Sequence, residues 1–203
     1  MKRLTKLRNL GIKIIVVYLT LILIFIAATF LGARFSRQGQ NAIVTKIEKN
    51  IEKIAYKVLR YGYLAIFLQN FINYICMCLP FIGIAHSVLV IFNTGFEFGT
   101  YLAQRYIFLS PETIAMSALT LLILPHAILE LLSYSIAVES SISITLEILR
   151  GKHTLSRNDI LIYMLKVCLG VLLLYLAAIL EYSLIALSIS KGNLSLNVPI
   201  NYR

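Results

Sequence analysis

From Ile14 to Gly32 the chain carries no charged residue, and from Tyr61 to Gln104 it carries one, Glu97. A helix needs about 20 apolar residues to cross the hydrocarbon core of a bilayer. Runs of this length decide the class before any other feature. The composition agrees: 59% of the 203 residues are hydrophobic and 14% are charged, against about a quarter charged in soluble domains. The mean hydropathy is +0.84. A soluble globule of this size has too little interior to hide so much apolar surface. Disorder and a disulfide scaffold are excluded too. Cys76, Cys78 and Cys168 sit in apolar runs without a CxxC or zinc spacing, which fits buried thiols. The expected fold is an all-α, polytopic membrane helix bundle.

The boundaries follow from the runs and their breaks. A first span is expected over 14–33. A basic n-region precedes it, but the run is longer than a signal-peptide core and no clean A-x-A site follows, so it reads as a retained span. In segment 41–60, Ile43, Ile47, Ile51, Ile54 and Val58 recur every three or four residues, while Lys46, Lys49, Lys53 and Lys57 take other faces. That is a basic amphipathic helix, suited to docking on anionic lipid or on a partner, or to packing on its own bundle. Segment 61–103 is too long for one span. Pro80 and Gly83 predict a break, giving helices at about 61–79 and 82–103, as a hairpin or a re-entrant loop. Ser110-Pro111-Glu112 is a helix start. The helix is expected to run through 112–149, kinked at Pro125, whose ring frees the carbonyl of Leu121. A polar loop precedes the last span, 160–188. The count is five spans, or four with a re-entrant middle pair.

The net charge of +10 has an address. Residues 1–13 hold +5, residues 34–60 hold +5, and the remainder balances. The two surpluses flank the first span, so the positive-inside rule gives no clear orientation. The sequon Asn193-Leu-Ser195 would be external with the N-terminus inside, and a cytoplasmic N-terminus in the cell membrane is the expected arrangement.

Ionisable groups at membrane depth are costly and mark functional positions. His86, Asn93 and Glu97 share a stripe of the third span. Gly95 and Gly99 form a small-xxx-small pair that permits close helix contact. His126, Glu130 and Tyr134 share a face of the fourth span, with Glu139 roughly opposite Glu130. The second span adds Gln69, Asn70 and Asn73, and the fifth adds Glu181. Three uses compete: hydrogen bonds that fix the bundle, a proton or solute path, and a metal or hydrolytic site built on His126, Glu130, His86 and Glu97. The chain has one Asp, no HExxH, no Ser-His-Asp pattern, no P-loop and no GxGxxG. Hence no enzyme activity, cofactor or bound metal is expected. Lipid is the expected polyanion for the basic segment, and nucleic acid is not. The expectation places Asn93, Glu97, His126 and Glu130 in the bundle interior, within hydrogen-bonding reach of one another.

Leu124-Pro125-His126-Ala127-Ile128-Leu129-Glu130 resembles the Pro-His-Gly-x-x-Glu signature of the stage II sporulation protein M family. Asn93-Thr94-Gly95, followed by Gly99, is similar to that family's Asn-Gly…Gly segment. The resemblance covers roughly residues 60–150. Ala127 replaces the family's glycine, and Thr94 separates Asn93 from Gly95. The residues carried over are Asn93, Gly95, Gly99, Pro125, His126 and Glu130. The resemblance implies a multi-spanning protein with an internal N-terminus. It also implies a scaffold that holds other membrane or envelope proteins. A small permease or channel subunit is the alternative. Lipid, other membrane proteins and a second copy of the chain are the expected partners.

Overall fold

The computed structural model describes residues 2–36, 56–105, 110–151 and 156–190. Among them lie six helices and no strand: α1 (Lys2–Ser36), α2 (Tyr63–Cys78), α3 (Ile82–Arg105), α4 (Pro111–Ile123), α5 (Pro125–Leu149) and α6 (Arg157–Ser190). The chain is an all-α bundle. Four segments, Leu10–Ser36, Ile82–Arg105, Pro125–Leu149 and Arg157–Leu187, are long and apolar enough to cross a membrane. They suggest a membrane location. Helix α2 has 16 residues and α4 has 13, so both fall short of a span by length.

The glycines set the closest contact, between α1 and α3. A methyl group on Gly95 would meet the Phe25 carbonyl oxygen, one on Gly99 that of Thr29, and one on Gly32 that of Phe96. Only hydrogen at these positions allows the two backbones to touch. The Thr100 hydroxyl donates to Phe96 O at 2.9 Å in its own helix and reaches Gly32 O at 3.4 Å across the seam. Residue 25 lies beside 95 and residue 29 beside 99, so α1 and α3 run parallel. Helix α2 must then run back between them.

Pro80 makes that reversal. The residue before a proline is forced out of helical geometry, and Leu79 is extended (φ −68°, ψ 133°). Phe81 takes φ 64°. Later helices hold the turn. The Ser141 hydroxyl donates to Leu79 O at 2.7 Å, the Tyr163 hydroxyl donates to Cys78 O at 3.2 Å, and Thr145 Oγ1 accepts from Phe81 N–H at 2.9 Å. The two expected helices and the turn between them are therefore present, with the turn sealed by α5 and α6. Helix α2 is antiparallel to α6, since Cys78 meets Tyr163, Tyr74 meets Val167 and Tyr63 meets Tyr182. Residues 56–61 are helical and extend this pass backward across Gly62 (φ 62°). Val58 is buried with Ile66 and Ala178, and Lys57 is exposed. Lys46, Lys49 and Lys53, and with them most of the expected amphipathic helix, lie outside the described residues. The described chain runs the length of the bundle five times, the fourth pass being α4 and α5 together.

That fourth pass is broken where a kink was expected. Leu124 is extended (ψ 137°), Pro125 is the first residue of α5, and α4 ends at Ile123. Nor is the Leu121 carbonyl free, because Leu124 N–H donates to it at 3.2 Å. A proline at the first helical position needs no partner for its missing N–H, so a new start is cheaper than a kinked continuation. Ser110 caps α4 as expected, its hydroxyl accepting from Thr113 N–H at 3.2 Å. Helix α5 is the central element, with Ser133 to Ser141 buried without interruption. Its serines make this possible. They are small, and Ser135 and Ser140 return their hydroxyls to the carbonyls of Leu131 and Ile136.

Candidate functional site

The interior polar groups gather along the contact of α5 with α6. Glu139, the most enclosed acid at 3% exposure, receives Lys166 Nζ on Oε2 at 2.5 Å; Lys166 itself is 15% exposed. The Ser143 hydroxyl donates to Oε1 at 2.7 Å. A buried carboxylate is tolerable only with its charge paired and its lone pairs met, and both conditions hold here. One turn along, the Ser133 hydroxyl donates to Gly170 O at 2.9 Å. The Tyr74 hydroxyl reaches Val167 O at 3.1 Å and Lys166 O at 3.4 Å. Gly170 is required there, because a methyl group would run into the Tyr74 ring. Thus three helices are tied at one level by an ion pair and two side-chain to backbone bonds.

A second group sits farther along the same contact. Tyr134, fully enclosed, stands one turn after Glu130 on the same helix, and Glu181 of α6 lies within electrostatic range of both. His126 stands one turn before Glu130, mostly buried, with Nδ1 enclosed and without a hydrogen-bond partner among the described residues. So the face expected from His126, Glu130 and Tyr134 exists, and α6 supplies Glu181 to it.

The expected four-residue interior cluster does not form. Asn93 and Glu97 are exposed on the outer side of α3. The reason is angular. Each precedes a glycine by two residues, about 200° around a helix. Gly95 and Gly99 face α1, so Asn93 and Glu97 face away. His86 is partly buried with Nε2 enclosed and unpartnered among the described residues, and Asn73 is partly buried on α2. Glu139, expected roughly opposite Glu130 on another surface or at the interface, is buried in the interior.

Lys166 was the residue overlooked. Its signal was available: a lone base in an apolar run, opposite a helix that holds Glu130, Glu139 and Glu147 and no Lys or Arg, within a stretch whose charges cancel. The three cysteines are free, and no group of three or more His, Cys, Asp or Glu comes together among the described residues. An open groove of about 560 Å³ lies between α3 and α4 over Phe98, Met116 and Leu121, edged by Glu112, Thr113 and Thr120. No family model, curated protein or solved structure matches this chain.

Proposed function

We propose that this is a multi-spanning membrane protein that works as a non-enzymatic scaffold, assembling with other membrane or envelope proteins. The observation that carries the reading is how the polar groups are divided. Several of those inside join one helix to another: Glu139 to Lys166, Ser133 to Gly170, Tyr74 to Val167 and Ser141 to Leu79. Those on the outside of α3, Asn93 and Glu97, have no partner among the described residues. A molecule that conducts needs its polar groups lining a path; one that assembles needs them on its surface. The motifs Pro125-His126…Glu130 and Asn93…Gly95…Gly99 support the same role through their resemblance to the stage II sporulation protein M family. We place the protein in the cell membrane with its N-terminus in the cytoplasm.

One observation favours the second reading, a proton path. His126 Nδ1 is enclosed, without a partner among the described residues, one turn from Glu130. Proteoliposomes under an imposed pH gradient separate the two. The scaffold predicts a proton leak equal to that of empty vesicles, unchanged by Glu130→Gln. A protein-dependent flux that Glu130→Gln abolishes, in a variant of unchanged circular dichroism, would sink the scaffold reading.

A further inference from the structure

The outward ridge of α3 is Ala85, Leu89, Asn93 and Glu97, all exposed and spaced four residues apart. Asn93 is 11 residues, about 16 Å, from Ile82 and 12 residues, about 18 Å, from Arg105. An amide and a carboxyl therefore project from the middle of an apolar helix, where hydrocarbon offers no hydrogen bond to either. Neighbouring polar side chains on exposed faces solve this locally. Thr94 and Thr120 return their hydroxyls to the carbonyls of Val90 and Met116. Asn93 and Glu97 have no such partner among the described residues. The sides of α3 are taken by α1, α2 and α5, and among the described residues nothing covers the ridge.

We propose that the ridge packs against the same ridge of a second copy, about a two-fold axis normal to the membrane. The chemistry of the ridge is self-complementary. An asparagine amide gives two N–H donors, and a glutamate carboxyl accepts. They stand one turn apart, so across a two-fold axis each Asn93 donates to the partner subunit's Glu97, and the contact repeats by symmetry. Leu89 and Ala85 supply apolar packing on one side of it. Ridges of four-residue spacing cross at about −50°, which concentrates the contact at Asn93 and lets the helix ends diverge. The proposal rests on α3 crossing the membrane, and it deepens the scaffold reading by making the assembling unit a dimer.

The test is photo-crosslinking of the full chain in native membranes, with a benzophenone side chain at position 89 and, as a control, at position 172, on the outer face of α6. Alkaline carbonate extraction comes first, and release of the chain would remove the premise that α3 is a span. The expected result is an adduct of two chains from position 89 and none from 172. Asn93→Leu should lower its yield about tenfold, equivalent to about 1.4 kcal/mol, and Glu97→Leu should act likewise. These variants expose less polar surface to lipid, so folding is not at risk, and resistance to extraction checks it. Adducts with lipid or with a different protein, equal dimer yields from both positions, or a yield indifferent to Asn93→Leu would each overturn the dimer. The vesicle flux of the scaffold test is independent of all of these outcomes.

Discussion

Lys166→Met isolates the central ion pair. The substitution keeps the length and apolar stem of the side chain and removes the charge, leaving Glu139 enclosed without its cation. Breaking a buried pair on one side costs about 3–5 kcal/mol. An upper bound comes from the escape open to any glutamate, which is to bind a proton. At pH 7 that costs an ordinary glutamate about 3.7 kcal/mol, so the penalty should lie near 3 kcal/mol. The double variant Lys166→Met/Glu139→Met removes both charges. Ser143 then loses its acceptor, but its hydroxyl can turn to the carbonyl of residue 139, as Ser135 and Ser140 do in their own turns. The double variant should therefore sit within about 1 kcal/mol of the native protein. Unfolding by SDS in mixed micelles, followed by circular dichroism, measures all three proteins on one scale. If the single variant lost less than about 1 kcal/mol, or if the double variant were no more stable than the single, the pair would not be the internal tie described above.

Other outcomes follow from local geometry. Gly99→Ala, whose methyl group would overlap the Thr29 carbonyl, should cost about 1–3 kcal/mol in the same titration, while Gly11→Ala, with open space around it, should be neutral or slightly stabilising. The Glu112 carboxyl, at the exposed start of α4, is held below the usual carboxylate range by the Ser110 hydroxyl and by its own backbone N–H. Its contribution to stability is accordingly full above the ordinary glutamate pKa and fades as pH falls through the depressed value; carbon-detected NMR titration of that carboxyl would expose an ordinary or raised value. Ser156 caps α6 by accepting from Asp159 N–H at 3.2 Å and donating to Asp159 Oδ2 at 2.6 Å. Ser156→Ala should cost about 1 kcal/mol, seen as faster amide exchange confined to the first turn of α6.

Helices and their breaks were legible because each had a local cause. Charge-free runs marked the spans, Pro80 the hairpin turn, Ser110 the cap and Pro125 a discontinuity. Whether Pro125 kinks or restarts a helix was not local, since it depends on whether Leu124 can stay extended while packed against the bundle. The site was half legible. Gly95 and Gly99 announced a close contact, but its partner, the parallel helix α1, was 70 residues earlier in the chain. Once that contact is known, Asn93 and Glu97 are turned outward by arithmetic alone. Intramembrane acids were treated as one population, when their fates depend on whether a base stands opposite. Glu139 has Lys166, and Glu97 has no base beside it among the described residues. The serines of α5 carry no signal of their own in the sequence, and they are what lets that helix be surrounded.

The hairpin turn also has a history during synthesis. Its three stabilising side chains, Ser141, Thr145 and Tyr163, come 62, 64 and 85 residues after the groups they bind. At about 5–20 residues per second, the ribosome delivers them several seconds after Pro80 has emerged. For that interval the Cys78 carbonyl and the N–H of Phe81 have only water or lipid headgroups to turn to, while Leu79 O keeps the Gly83 N–H at 2.9 Å. The hairpin must therefore form as an unlocked pair, with those groups solvated. Arrival of the last two helices strips that water away, so the turn is the latch closed last.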